Sequence, residues 1–400
     1  MASRAPNGKP SVAVLPFANL SDEPGREVFV DGMVEEIATA LSRCRSLFVT
    51  AGGSGLSLKG RGLTPQEAAR LLGVQYLLDG TVRRAADRVD VSVSLIDARD
   101  GVQLWTDRFD GAMADIFSLQ DDVALSVAAR IEPQVQAEDI RRTQTKPAAD
   151  PEAYDLFLRA RALSAGVSRE AMEQALPLYE RCLELDPANS RALAASANCL
   201  TFVIAFGSAA EADRARVLAR ERMQAALRLA PDDAEVLARA ANVLHDLQDD
   251  IFTVRALADR AIAVSPGEAW GWRASGWLRA ATDPADPDMA AEHLEHCLRL
   301  DPLSPRLAQT LTALGLARLG QRRLDDAIEL FRQSAHLLSG YPMNYLWLAA
   351  CHAQLRQFAE AWEAAARFRA TSGTTVLEWA DRVGAGDWLK SRLARIAPAG

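Results

Sequence analysis

The 400 residues carry 45 Lys and Arg against 53 Asp and Glu, a formal net charge of −8. A chain of this length builds two or three domains with sizeable cores, and its acidic balance argues against a nucleic-acid partner, because phosphate binding needs a basic face. No run approaches the roughly 18 apolar residues that suggest a membrane span, and the absence of an apolar leader after Met1 makes a cytoplasmic protein the default expectation.

Residues 1–10 are expected to be disordered. Ser11 to Phe17 is a short apolar run closed by the turn-rich stretch Asn19 to Gly25, and it reads as a buried strand. Val28 to Ser42 places Val30, Met33, Val34, Ile37 and Leu41 at helical spacing. Leu47 to Thr50 is a second short strand. Thr64-Pro65-Gln66-Glu67 has a hydroxyl N-cap, proline at the first helical position and a carboxylate at the third, and the helix it opens should end at Gly73. Three strand-like runs follow, Gln75 to Arg84, Arg88 to Asp97 and Val102 to Phe109. The alternation of Val89, Val91, Val93 and Leu95 with Asp90, Ser92 and Ser94, and the short links between runs, predict an antiparallel meander within a mixed sheet. Asp115 to Ile131 closes this part as an amphipathic helix.

Arg141 to Pro151 is polar, contains two prolines and has no apolar periodicity, so it marks a boundary. The predicted organisation is an α+β domain over residues 11–133, a linker over 134–151, helical repeats over 152–372 and a capping helix pair over 373–400 with Gly384-Ala385-Gly386 as its turn. Beyond the linker, prolines recur at Pro187, Pro231, Pro266, Pro302 and Pro342, in steps of 44, 35, 36 and 40 residues. Leu314-Gly315 is followed by Ala327, Phe331 and Ser334 at set spacing, Trp272 and Gly276 match the preceding unit, and Ala175, Tyr179 and Cys182 fit the first. This pattern resembles tetratricopeptide (TPR) helix pairs, about six of them. Such a unit cannot bury its apolar face alone, so the units stack into an all-α superhelical solenoid with a concave surface. The five cysteines (Cys44, Cys182, Cys199, Cys297, Cys351) have no Cys-x-x-Cys pair, and Cys182 and Cys297 fall where the repeat wants a small residue. They read as apolar fillers in a reducing compartment.

Five separated segments of the first part also carry a resemblance: Ser11 to Ser21, Phe29 to Arg43, Leu72 to Arg84, Leu95 to Ala98 and Leu104 to Asp110. Together they look like the TolB amino-terminal-like (FlgO-type) domain, which is commonly followed by tetratricopeptide repeats. The resemblance covers most of residues 11–133 and implies a non-catalytic α/β domain of bacterial signalling chains, often downstream of a nucleotide cyclase or winged-helix domain. The sequence departs from that pattern at the glycine-rich stretch Thr50 to Gly55.

Candidate chemistry is sparse. Ala51 to Gly60 invites a phosphate-loop reading but lacks the Gly-Lys-Ser/Thr ending, so a flexible connection is the simpler account. His293 and His296 have helical spacing but no obvious third ligand for a metal. Asp31, Glu35, Glu36, Asp107, Asp110, Asp121 and Asp122 read as caps and solvated faces. No catalytic set, metal or cofactor is nominated. The concave groove is the more productive candidate. Its register places Trp270, Arg273 and Trp277 inward on one helix, with Arg239 at the position equivalent to Arg273 in the preceding unit, and adds Leu316, Met343 and Leu346 from later units. Exposed together, such aromatic and arginine side chains anchor a protein or peptide partner; alternatively, both tryptophans pack between helices. The sequence therefore points to a non-enzymatic interaction scaffold, with a ligand-sensing regulatory role as the competing reading.

Overall fold

The structure, a computed structural model, describes residues 9–21, 27–44, 47–85, 87–131, 150–164, 169–206, 209–282 and 285–382. Most of the predicted linker, the start of the chain and the Gly384–Gly386 turn lie outside these residues.

Six strands form one sheet: β1 (Ser11–Val14), β2 (Ala18–Asn19), β3 (Phe48–Thr50), β4 (Tyr76–Ala85), β5 (Arg88–Asp97) and β6 (Val102–Ala112). The order is β3-β1-β4-β5-β6, with β2 also on β4. β1 pairs both β3 and β4 in parallel, whereas β4–β5 and β5–β6 are antiparallel. The sheet is therefore mixed, and a meander describes only its three long strands. A parallel β1–β3 pair needs a crossover, and α1 (Glu27–Ser42) supplies it. On β5 the alternation read from sequence is visible as burial: Val89, Val91, Val93 and Leu95 are enclosed, and the residues between them are half exposed. α3 (Pro65–Leu72) has the full capping box, with Thr64 and Glu67 satisfying each other's backbone amides, and it ends at Gly73 with φ 69°. α2 (Gly52–Leu56) and α4 (Ile116–Ile131) complete this part.

Six helix pairs follow among the described residues: α5 (Pro151–Ser164) with α6 (Arg169–Leu185), α7 (Ser190–Phe206) with α8 (Ala209–Leu229), α9 (Ala234–Asp246) with α10 (Ile251–Val264), α11 (Ala269–Ala281) with α12 (Pro287–Leu300), α13 (Leu307–Gly320) with α14 (Leu324–Leu337), and α15 (Pro342–Gln354) with α16 (Phe358–Ser372). α17 (Val376–Arg382) packs on α16 and also reaches back to α7. Glycine sets the closest helix approaches within pairs. A Cβ at Gly315 would lie 2.5 Å from the Phe331 ring, and one at Gly276 would lie 2.5 Å from Leu294. Pro187, Pro231 and Pro266 sit in the turns between pairs, whereas Pro342 is the first residue of α15.

The two parts share one apolar core. It runs from Val12, Ile37 and Ala128 into Tyr154, Phe157, Tyr179 and Cys199. α5 is the hinge of this arrangement: Tyr154 stands edge-on to Phe29 and Phe117 at 6.1 and 5.6 Å, and its hydroxyl accepts from Gln120 Nε2 at 3.0 Å. Arg84 on β4 donates to Asp155 at 2.6 Å. The glycine-rich stretch makes a second contact. Ala51 N donates to Leu300 O at 2.7 Å, Ser54 Oγ donates to Asp301, and Leu303 N donates back to Ser54 Oγ at 2.8 Å. The stretch is thus an ordered short helix against the repeats, not the flexible connection its composition suggested. Its glycines serve close approach, since a Cβ at Gly55 would meet Val14 O at 1.9 Å and one at Gly52 would meet Glu35 Cα at 2.8 Å.

Gly267 makes the reciprocal approach from the repeat side, where a Cβ would lie 2.4 Å from Ser42 O. Backbone cannot yield as a side chain can. Gly267→Ala is therefore expected to destabilise the protein by about 1–3 kcal/mol, whereas Gly340→Ala, with open space around its Cβ, should leave the thermal midpoint nearly unchanged. Thermal unfolding of the two variants checks this, and equal midpoints would refute the close interdomain contact.

Candidate functional site

The second residues of three successive inner helices are Arg191 on α7, Glu235 on α9 and Trp270 on α11. Stacking brings them towards α1. Glu36, only 5% exposed, accepts from Arg161 Nη1 at 2.8 Å, and both its oxygens accept from Arg191 Nη1 at 2.7 Å. Glu35 meets Arg161 Nε at 3.1 Å, and Arg191 Nε donates to Asp233 at 3.1 Å. Glu235 accepts from Arg239 Nε and Nη2 at 2.9 and 2.8 Å and lies 3.8 Å from Arg161. This is a charge network across the two parts of the chain, with α1 supplying Glu35 and Glu36 and the repeats supplying the arginines together with Asp233 and Glu235. Glu36 is therefore not on a solvated face, as its sequence context suggested. The apolar stripe of α1 carries it inward, and only the neighbouring helices provide its counter-charges.

Beside this network lies a cavity of about 160 Å³ between α1, β3 and α2 on one side and α5, α9, α11 and the turn before α13 on the other. Trp270 occupies its repeat side with three guanidiniums on its indole: the Cζ atoms of Arg273, Arg239 and Arg306 are 4.2, 4.3 and 4.8 Å from the ring centroid. Such stacking is favourable when the cation is partly desolvated. Arg306 Nη2 also donates to Ser164 O at 3.2 Å. Arg273 Nη2 and Glu268 Oε2 are buried with no hydrogen-bond partner among the described residues.

Titration follows from these surroundings. Burial raises Glu268 to about 7, reinforced by Asp233 and Glu235 and opposed by Arg191. Burial acts the same way on Glu235, but Arg161, Arg239 and Arg191 outweigh it and hold the group at about 2. Glu35 is raised by burial against the pull of Arg161. Burial lowers Arg306 to about 9, and the charges of Arg273 and Arg239 add to that. Arg273 is lowered chiefly by burial.

Of the residues nominated from sequence, Trp270, Arg273 and Arg239 come together at this cavity. Trp277 is half buried against the C-terminal core. Leu316, Leu346 and Met343 are 2%, 0% and 9% exposed within that core and offer no surface to a partner. Helix α15 is enclosed along almost its whole length by α13, α14 and α16. Arg239 is paired within its own helix. Sequence reasoning missed Glu36, Arg161, Arg191, Glu268 and Arg306; the available signal was the recurrence of charged or aromatic residues at the second position of the inner helices. His293 and His296 both lie against Trp272, with ring centroids 5.0 and 4.2 Å from its ring, and burial pushes His296 down to about 4. Lys59 is held by Glu27 and Asp31 at 2.8 and 2.7 Å, and exposed Asp110 pairs with Arg88. No cluster of metal-ligating residues occurs among the described residues, and no helix there is long and apolar enough to cross a membrane.

No known protein-family profile matches the chain. A segment of 179 residues, 45% of the chain, is 38% identical to "Putative adenylate cyclase 3" of Rhizobium meliloti (strain 1021). The match spans 30% of that protein's length. Solved structures with similar helix packing include PilW, a type IV pilus biogenesis factor (18% identical, TM-score 0.40, covering 61% of this chain and 100% of that one). Human IFIT1 with m7Gppp-AAAA is 17% identical with a TM-score of 0.45, covering 64% of this chain and 58% of that one. A thermophilic TPR protein of Thermus thermophilus, TTC0263, is 19% identical with a TM-score of 0.36, covering 46% and 91%.

Glu268 gives the site a pH signature. Its folded value of about 7 lies above the ordinary 4.5, so the folded state favours the protonated form. Stability from this group is complete below about 4.5 and is lost as pH rises through 7. Glu268→Gln should remove that loss, raising stability at pH 8 by on the order of 3 kcal/mol relative to the parent and little at pH 4. Denaturant unfolding at the two pH values measures it; an equal effect at both would contradict the assignment.

Proposed function

We propose that the chain is a non-catalytic regulatory and protein-interaction module of bacterial signalling, in which the inner face of the helix-pair scaffold is occupied first by the chain's own α/β domain. The observation that carries this is the charge network on Glu36. A buried carboxylate held by Arg161 and Arg191 ties α1 to α5 and α7, and a buried ion pair is strongly destabilised when one partner is removed. Such a contact is suited to two arrangements, docked and released, rather than to graded loosening. Trp270, Arg273 and Arg239 then serve as interdomain residues in the docked state and become available to a protein or peptide partner in the released one. The likeness of the first part to TolB-like domains, and the partial kinship with a protein named as an adenylate cyclase, favour a role beside a nucleotide cyclase.

Among the described residues, the placement of the polar groups gives catalysis no support. Lys59 is committed to Glu27 and Asp31, and Asp107 is exposed on β6, an edge strand.

Two measurements test the reading. Glu36→Gln should cost about 3–5 kcal/mol and raise amide hydrogen exchange in α1, α5 and α7 together; exchange confined to α1 would sink the coupling. Incubation with ATP or GTP and magnesium or manganese should give no turnover. Turnover that disappears in Lys59→Ala or Asp107→Ala would make the chain an enzyme.

A further inference from the structure

Three guanidiniums share the indole of Trp270, and their counter-charges are unequal. Arg239 has Glu235 at 2.8 Å. Arg273 and Arg306 have no carboxylate within ion-pair distance among the described residues, and Arg273 keeps Nη2 buried without an acceptor. Burial with like-charged neighbours lowers Arg306. Two half-buried cations beside an aromatic ring, neither with an ion-pair partner among the described residues, are a costly arrangement in a folded chain. The nearby acids relieve it only in part: Glu235 is ion-paired with Arg239, and Asp301, which accepts from Ser54, acts on Arg273 from beyond ion-pair distance.

We propose that the cavity binds a small organic or inorganic anion, carboxylate- or phosphate-bearing, whose acidic group docks on Arg273 and Arg306 beside Trp270. The planar fork of arginine matches both groups with paired hydrogen bonds, which are stronger than neutral ones. The volume sets the size. About 160 Å³ is close to the cavity that accommodates a benzene ring, which is room for phosphate or a short dicarboxylate. Glu268, whose Oε2 is also unpartnered and whose side chain lines the same cavity, offers an acceptor to a hydroxyl or ammonium on the ligand. Because the walls come from both parts of the chain, a bound anion stabilises the docked arrangement in proportion to its occupancy. The inference rests on the docked arrangement proposed above and names the signal that acts on it.

The test uses the full chain with inorganic phosphate, succinate or chloride at matched ionic strength, read by thermal unfolding and by isothermal titration calorimetry. Phosphate, succinate or both should raise the midpoint saturably, with one site per chain, while chloride does not; which of the two acts identifies the acidic group. Arg273→Gln and Arg306→Gln should each weaken binding by about tenfold or more. Any fall in the midpoint measured in chloride should be small, because each change removes an uncompensated cation while giving up its stacking on Trp270 and, for Arg306, the bond to Ser164 O. Should these variants fail to fold, Arg273→Lys keeps the charge, loses the fork and should still weaken binding. No saturable response to either probe, or a response unchanged in the variants, overturns the proposal. The docking itself is read separately by hydrogen exchange in Glu36→Gln, so failure of anion binding leaves that reading standing.

Discussion

The carboxylate of Glu36 is the constraint on which the interdomain arrangement depends. It sits on the buried face of α1, in a core otherwise built from Val30, Met33, Val34, Ile37 and Leu41. An ion at such a depth is tolerated only with close counter-charges and satisfied oxygens. α1 has none of its own to give. They come from Arg161 on α5 and Arg191 on α7, more than a hundred residues away in sequence. Burial of Glu36 and docking of the repeats are therefore one event, and the same docking encloses the cavity beside it.

Apolar packing works in the same direction. α5 is a repeat helix by register, yet Tyr154, Phe157 and Leu158 continue the core of the α/β domain. Leu158 fills the space left by Gly32, and Tyr154 is wedged between Phe29 and Phe117. Without α1, the first repeat pair would expose these aromatic groups; without α5, the sheet and its helices would leave one side uncovered. The hydrogen bonds around Ser54 and the approach of Gly267 to Ser42 then fix orientation. They add little apolar area, but each requires backbone from the two parts to come within contact distance.

Within the repeats, two kinds of interior coexist. The C-terminal units have a mainly apolar, uncharged interior: Phe331, Leu346, Cys351 and Phe368 are fully enclosed, the buried polar groups Thr312, Ser334 and Asn344 bond one another, and the nominated groove residues Leu316, Met343 and Leu346 belong to that packing. The middle units carry charge inward at Arg191, Glu235, Arg239 and Arg273. The fold offers the same inner positions in each unit, and the side chains placed there decide whether a unit contributes to the core or to the site. A consensus register identifies inner positions but cannot separate these outcomes, because an inner leucine and an inner arginine satisfy it equally.

The local elements were legible in the sequence because their causes are local. Alternation on β5, the Thr64–Glu67 capping box, the left-handed Gly73, and the Gly315–Phe331 and Gly276–Leu294 pairs each depend on residues close in sequence or at fixed repeat spacing. Trp270, Arg273 and Arg239 could be nominated for the same reason. What only the tertiary structure decided depends on distance in the chain: the parallel pairings of β1, the ordered helix made from the glycine-rich stretch, the shared core through α5, and the capture of Glu36 by Arg161 and Arg191. A buried carboxylate and a solvated one look alike in sequence, since what distinguishes them is the dielectric and the counter-charge supplied by residues folded against them.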